Sequence, residues 1–390
     1  MNTAKQPTQE LLKVFDTATT EGKLVQLNEE QATEFISYLQ DESVLLKQAR
    51  VVKMTKSNRD IAKIFPKGNF LYPGTKTSVD TSKDAEVGSD IVTLNTKLVR
   101  GNFIIFEDDL QDNIEGENFT QTMLRLAARK MGNELELAGI YSRKRDNPVT
   151  VNEMFNGLKF LAKTKGNVVN ATDTGLFADR LIKKDKFKKA IKSVKAQYIK
   201  NAQFFMSSNA VIDYADLYDT VADASVRAAL KNSILGRPYN EVSLMKDDEA
   251  VLVSGGISTT ADGGNAAGST VEVASGTGIT AGKVFAVNYG TATEQIFTVN
   301  SISTTTITTV EPLLYAIEDG DTIKEVTLDG TDAVLTDPKN FIYGMQTNED
   351  FSFEIERIAG VGWRYHFKAR IDFQIENEEA ICLIEGLEIE

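Results

Sequence analysis

Hydrophobic positions recur along this chain in two periods, and the places where one gives way to the other divide it. Asn28-Glu29-Glu30-Gln31 reads as a capping box, after which Ala32, Phe35, Ile36 and Leu39 fall on one face at helical spacing. This predicts a short amphipathic helix in an arm over residues 1–49, with an apolar stripe that needs a partner surface. Val51, Val52 and Met54 then open a strand. Turn signals among aromatics follow from Phe65 to Gly74, and a polar run without apolar periodicity extends from Thr75 to Asp90. Val92, Leu94, Thr96 and Leu98 alternate with polar neighbours, and Asn102 to Phe106 stay extended in character. Residues 50–112 are therefore predicted to form a long two-stranded hairpin with a polar end. Such a hairpin is marginal alone in water, and its open edges are liabilities in a monomer. It makes physical sense lying on another subunit; the other reading is a surface loop.

Helical spacing returns at residues 117–141. Leu124, Ala128, Met131, Leu135 and Ala138 recur in steps of three or four, with Phe119 and Met123 at the start. A helix of this length exceeds about 30 Å, enough for a spine across a domain running from 113 to 149. Residues 150–255 are mixed. Helices are predicted over 151–163, 183–200 and 213–232, a buried strand at Ala202 to Met206, a turn at Ile234 to Pro238 and a short strand at Val251 to Val253. The 183–200 helix sets Phe187, Ile191, Val194 and Tyr198 on one side. The other side carries Lys183, Lys184, Lys186, Lys188, Lys189, Lys192 and Lys195, the chain's strong basic cluster. Nucleic-acid binding would want aromatics interleaved on the basic face, and here they lie on the apolar stripe. A solvated face, or one meeting an acidic neighbour, is the expected role.

The period changes again at residues 256–330, which are rich in Thr, Gly and Ser and contain no arginine or histidine. Short alternating runs at 270–273, 284–287, 295–299 and 303–310 are separated by turns such as Ser275-Gly276 and Asp319-Gly320-Asp321. This is the pattern of a small all-β sandwich or barrel, read as an insertion in a loop. Phe285, Tyr289, Phe297 and Tyr315 are expected mainly in its own core. Residues 331–390 close the chain with strand-like runs at 351–355, 363–367 and 369–375, and at Ala380 to Glu385.

Composition narrows the chemistry. The 390 residues suit two or three domains, and a hydrophobic share of 42% supplies a sizeable core. Asp and Glu outnumber Lys and Arg by 56 to 43, a net charge of -13 that disfavours general adhesion to nucleic acid. The N-terminus has no apolar core of signal-peptide length and no run of about 18 apolar residues occurs, so no membrane span and a cytosolic origin are expected. The single cysteine, Cys382, rules out an intramolecular disulfide and suits a reducing compartment. It lies sixteen residues after His366, the single histidine. Placed on one extended strand, the pair would share a face yet lie far apart, so a packed or edge histidine and a buried thiol are expected rather than a catalytic couple. Histidine metal clusters and Ser-His-Asp triads would depend on His366 alone. No GxxxxGK[ST] loop is present, Gly255-Gly256 and Gly263-Gly264 sit in ordinary turns, and Glu107-Asp108-Asp109 reads as a solvated turn or helix start. No catalytic, cofactor-binding or metal-binding residue is assigned, and no enzyme activity or cofactor is expected.

The order of elements carries a resemblance. Leu27 to Ala32, continuing through Phe35-Ile36 and Leu45 to Val52, is similar to the start of many tailed-phage capsid subunits. Leu235-Gly236-Arg237-Pro238 resembles a turn late in that family's axial domain. Phe341 to Gly344, Phe367 to Asp372 and Glu379 to Ile381 resemble its returning strands. The chain thus resembles tailed-bacteriophage major capsid proteins, whose fold is shared with encapsulin and herpesvirus shells. The resemblance implies an α+β fold: an N-terminal arm (1–49), an E-loop hairpin and flanking strands (50–112), a peripheral domain with a spine helix (113–149), an axial domain (150–255), the inserted β-sandwich or barrel domain (256–330) and return strands of the axial and peripheral domains (331–390). It also implies self-assembly into pentamers and hexamers of an icosahedral head. The implied partners are a separate scaffolding protein, portal, head-completion or decoration proteins, and double-stranded DNA packaged without sequence-specific contacts. The implied location is the virion, with assembly in the host cytoplasm. Lys–Asn cross-links occur in some members, but no local motif marks them here. The alternatives are an encapsulin-type compartment, expected to lack the insert, and a tail or adhesin protein, for which the spine helix and hairpin have no ready role.

Overall fold

The computed structural model describes residues 43–67, 86–106, 119–173, 175–218, 225, 233–346, 352–358 and 360–389. The predicted helix at 28–39 and the Glu107-Asp108-Asp109 run lie outside them. The described residues fall into two compact units. The first draws on Arg50–Arg129 and Phe341–Glu376; the second on Gln40–Ala49, Lys130–Asn340 and Asn377–Glu390.

In the first unit a five-stranded sheet is built around the Gly362–Ile375 strand. Lys97–Phe106 pairs antiparallel along one of its edges. Ser352–Ile358 and Phe341–Gln346 share the other edge in succession, and Arg50–Met54 adds parallel to Phe341–Gln346. Alternation along the central strand sets the faces. Tyr365, Phe367, Ala369, Ile371 and Phe373 are buried, whereas Arg364, His366, Lys368 and Arg370 point to the more open side. Phe103 stacks on Tyr365 with ring centroids 4.6 Å apart, and Tyr343 on Phe373 at 5.4 Å. A separate two-stranded ladder pairs Asn58–Lys67 with Glu86–Asn95, in register from Asn58↔Asn95 to Lys67↔Glu86. The ladder lies inside the stretch read as a hairpin with flanking strands: Arg50–Met54 and Lys97–Phe106 join the five-stranded sheet instead, residues 86–90 of the polar run are paired in Glu86–Asn95, and residues 75–85 lie outside the described residues.

The second unit hangs on one long strand, Thr322–Thr336. Its far end pairs with Gln203–Met206 and with Ile381–Glu388, beyond which Asn167–Asn170 adds in parallel. Its near end pairs with Glu249–Leu252, Ser258–Thr260 and Val284–Val287. The helices Leu158–Lys165 and Lys184–Ser193 pack on Asn167–Asn170 and Ile381–Glu388. Phe187 meets Phe204 and Tyr214 edge-on, each at 5.3 Å, in a core that includes Cys382, Ile384 and Leu387.

Residues 256–330 have a core of their own, with Val271, Phe285, Phe297, Val299, Ile307 and Ile323 buried. They close into a small barrel: Ser258–Thr260 pairs with Thr322–Thr336, and the Ala261↔Val273 bridge, with the Ala274 N–H donating to the Thr260 carbonyl at 2.9 Å and the Asp262 N–H to the Glu272 carbonyl at 3.0 Å, joins it back to Thr270–Glu272. Thr270–Glu272, Thr306–Thr309, Gln295–Ser303 and Val284–Val287 form a ladder that continues through Thr322–Thr336 into the rest of the unit. The long strand crosses residue 330 without a break, so insert and body share it.

The spine helix runs Phe119–Tyr141. Its 23 residues span about 34 Å at 1.5 Å per residue. The predicted 151–163 helix is instead a short turn of helix at Val151–Glu153 and a helix at Leu158–Lys165. Gly157 divides them, because a Cβ there would lie 2.7 Å from the carbonyl of Ile140 while its N–H donates to the Ser142 carbonyl at 2.7 Å. The lysine-bearing helix stops at Ser193, whose hydroxyl folds back onto the Ala190 carbonyl at 2.8 Å. A helix at Ser208–Asp216, where the Ser207 side chain accepts the Ala210 N–H, overlaps only the start of the one predicted over 213–232, most of which lies outside the described residues. The predicted turn at Ile234 to Pro238 is a tight one. Ile234 and Arg237 exchange backbone hydrogen bonds, and Leu235 and Gly236 both take positive φ, as a two-residue hairpin turn requires.

Candidate functional site

The residues with catalytic potential are dispersed. His366 and Cys382 do not share a strand: one lies on Gly362–Ile375 and the other on Ile381–Glu388, in different sheets. The three residues Glu378–Ala380 form a short turn of helix that ends one run before the other begins, which the uniform apolar pattern conceals. His366 bridges three strands. Its Nδ1 lies 3.0 Å from Asn102 Oδ1, and its Nε2 lies 3.3 Å from Glu356 Oε2. Cys382 is fully buried, and burial pushes its thiol up to about 11, away from thiolate chemistry. Among the described residues no group of three His, Cys, Asp or Glu side chains is placed to hold a metal ion, and no helix is long and apolar enough to cross a membrane.

Two constructions stand out instead, one in each unit. The first is the root of the hairpin. Leu94 is fully buried with Val52, Met54 and Ile342, and Ile61 and Val92 pack against this cluster. Gly344 makes room for it, since a Cβ there would lie 3.1 Å from Leu94 Cδ1. Buried Asp372 accepts the Asn95 N–H at 2.7 Å, and the Thr96 N–H donates to the Ser57 carbonyl at 2.9 Å. Ile91, three residues before Leu94 and on the opposite face of the strand, is 59% exposed. The hairpin is thus seated at its base, while Arg59, Asp60, Ala62, Ser89, Asp90 and Ile91 are exposed.

The second is a seam of charge within the second unit, between the insert and the helices beside it. Lys159 Nζ lies 2.7 Å from Glu249 Oε2 and 2.5 Å from Asp332 Oδ2. Burial works against its charge, but the Asp332 and Glu249 carboxylates outweigh it and hold its pKa above the ordinary lysine value. Lys163 pairs with Glu385 at 2.7 Å and lies over the Tyr289 ring at 5.1 Å. Arg143 pairs with Glu294 at 2.6 Å, and Arg145 donates to the Glu294 carbonyl at 2.6 Å. Arg145 also lies 4.1 Å from the centre of the Tyr315 ring, whose hydroxyl bonds to Glu153. Phe285 and Phe297 sit in the insert core, but Tyr289 and Tyr315 do not. They are seam residues, their polar ends turned to Ala250 and Glu153.

One lysine of the basic cluster also departs from expectation. Lys186 is buried, its Nζ donating to the Leu181 carbonyl at 2.7 Å above the Phe177 ring. Burial lowers its pKa although Asp185 and Asp179 oppose the shift. Lys184, Lys188, Lys189, Lys192 and Lys195 are exposed. The seam has no signature in sequence, because Lys159, Glu249 and Asp332 are far apart in the chain. One signal was available: Asp332 directly precedes the apolar run Ala333-Val334-Leu335, and an acid carried into the core with it must find a partner.

The architecture has counterparts among known shells. The chain is similar in structure to the satellite phage P4 procapsid including size determination (Sid) protein, with a TM-score of 0.52 and 11% identity over 98% of each chain. It also resembles the capsid of the native GTA particle, with a TM-score of 0.49 and 14% identity over 88% of this chain and 90% of that one. The chain has the phage-capsid fold, an α+β fold elaborated by a β-rich insert. In sequence it is 25% identical over 228 residues to "Putative prophage capsid protein YqbE" of Bacillus subtilis (strain 168), across 56% of this chain and 69% of that protein. No protein-family model matches.

Proposed function

We propose that this chain is the major shell subunit of a tailed-phage head, self-assembling into pentamers and hexamers around a double-stranded DNA genome. The observation that carries the reading is the hairpin: ten paired residues per strand, seated on a buried root, with Ile91 exposed and a two-stranded ladder joined to no further strand among the described residues. A monomer gains nothing from such an element, whereas a subunit that lays it on a neighbour covers its edges. The fold likeness to the P4 procapsid and the sequence likeness to the prophage capsid protein support the reading. The first unit would serve as hairpin and peripheral domain, and the second as axial domain with the insert. The role is structural rather than catalytic. Scaffolding, portal and decoration proteins would be its partners, the host cytoplasm the place of assembly, and the virion its final location. The insert would be an outer-surface domain that stabilises neighbours or offers a docking face.

Repeated contacts between copies need only be modest, because a closed shell multiplies them. Electron microscopy of the purified full chain, alone and with scaffold, tests the reading. Icosahedral particles or free pentamers and hexamers are expected. A chain that stays monomeric under every assembly condition overturns it.

A further inference from the structure

The exposed lysines of the Lys184–Ser193 helix have no part in the seam or the hairpin. The helix buries Phe187 and Ala190 and turns Lys184, Lys188, Lys189 and Lys192 outward, with Lys195 just beyond. Lys184 lies over the Tyr218 ring at 4.3 Å, and Lys195 pairs with Glu379. Lys188, Lys189 and Lys192 meet no carboxylate among the described residues. In a chain of net charge -13 this is a concentrated positive face.

The insert has the opposite character, with nine acids against two lysines, Lys283 and Lys324, between residues 256 and 330. Four exposed acids, Asp262, Glu272, Glu318 and Asp319, gather on one edge of it. Backbone bonds hold them together: the Asp262 N–H donates to the Glu272 carbonyl at 3.0 Å and the Gly320 N–H to the Ala261 carbonyl at 3.1 Å, while Asp319 Oδ1 accepts the Gly263 N–H at 2.8 Å. None of the four pairs with a base among the described residues.

The two surfaces adjoin opposite ends of the Thr322–Thr336 strand. The acidic edge adjoins the start of the Thr322–Thr336 strand. The lysine helix packs on Ile381–Glu388, which pairs with the far end of that strand. At about 3.3 Å per residue the strand separates the two by roughly 40 Å, so they cannot meet within one chain. A ring of identical subunits joined head to tail needs two different and complementary patches on each copy.

We propose that the lysine helix of one copy docks on the acidic edge of the insert of a second copy. The inference rests on the shell reading above and names a pair of surfaces for it. Each copy carries both patches in equal number, and opposite charges of this density would steer the encounter and set its register. A nucleic-acid backbone is the less fitting occupant, because the aromatics of the helix face inward and offer no stacking platform.

A charge exchange tests it on the full chain. Lys188→Glu with Lys192→Glu, and separately Glu318→Lys with Asp319→Lys, are each expected to lower the assembled fraction at low salt by about tenfold. Combining all four substitutions is expected to restore assembly. Particle formation is read by electron microscopy and sedimentation, and thermal melts confirm that each variant folds. Reversals that assemble like the parent chain, or a combination that restores nothing, overturn the inference while leaving the shell reading intact. A lysine-reversed variant that assembles normally but loses a short double-stranded DNA probe makes the helix a nucleic-acid surface, and also overturns it. A parent chain that never assembles sinks the shell reading instead. A second measurement is independent of particles: Lys192→Cys chains are mixed with Asp319→Cys chains and oxidised. Disulfide-linked pairs of the two kinds of chain are expected in excess of either self-pair, and their absence rejects the contact.

Discussion

At the scale of single residues, Glu136 shows how a buried acid can anchor a helix distant in sequence. It is 3% exposed on the spine helix, and its Oε1 accepts the Leu45 N–H at 2.6 Å, at the start of the short Val44–Gln48 helix. Burial raises its pKa, although the Leu45, Ser43 and Val44 donors pull the other way. An acid with a raised folded pKa binds its proton more tightly in the folded state. Its contribution to stability is full below the unfolded value of 4.5 and is lost as pH rises through the folded value. Glu136→Gln keeps the acceptor and removes the titration. The variant's urea midpoint is therefore expected to fall less than the parent's as pH rises from the unfolded value upward. Parallel pH profiles for the two chains would show that Glu136 does not titrate in this way. Cys382 gives a simpler check. With its thiol buried and its pKa near 11, native protein at pH 8 is expected to resist iodoacetamide until denatured. Labelling of the native chain at the denatured rate would contradict the buried placement.

At the scale of elements, the hairpin and the seam differ in what holds them. Leu94→Ala removes the only fully buried side chain that the Glu86–Asn95 strand contributes to the root cluster, at an expected cost of about 2–5 kcal/mol locally. Hydrogen exchange is expected to quicken in 58–67 and 86–95, with the second unit unchanged; unchanged protection of both strands would mean that the root does not seat them. Lys159→Ala leaves Glu249 and Asp332 facing each other in a buried site, and is expected to cost about 3–5 kcal/mol, whereas Lys195→Ala breaks an exposed pair and should leave the melting temperature where it was. Equal effects of the two substitutions would rule out a buried seam. The elements themselves were legible where one period runs unbroken, in the spine helix and the returning strand around Tyr365 to Phe373, whereas the hairpin arm Glu86–Asn95 begins inside a run that read as polar and aperiodic. The breaks were not. Gly157 separates the turn at Val151–Glu153 from the helix at Leu158–Lys165 because of how closely it passes Ile140, a contact with no trace in its own neighbourhood. Lys186 reads as one more surface lysine until Leu181 and Phe177 close over it. Tyr289 and Tyr315 read as core because period-2 patterning records only which side a residue faces. It does not say whether that side meets the insert's own core or a neighbouring helix.

At the scale of the whole molecule, the insert closes its own small barrel yet shares a strand with the body. Its composition changes abruptly at both ends, which suggests a self-contained domain in a loop. The structure gives it a private core yet builds its last strand from the body's central one, with Val284–Val287 and Glu249–Leu252 both pairing to it. Deleting residues 257–329 would remove the near half of Thr322–Thr336, leave Glu249–Leu252 without a partner, and strip the seam of Glu294, Tyr289 and Tyr315. The remainder would then expose an unpaired strand edge and the buried Lys159 site together. The expected outcome is a chain that aggregates on expression, and a parent chain in which insert and body melt in one transition rather than two. Calorimetry of the parent and solubility of the deletion measure these separately. A deletion that stays soluble, with a melting temperature close to the parent's, would show that the shared strand is dispensable and that the insert is an independent domain after all.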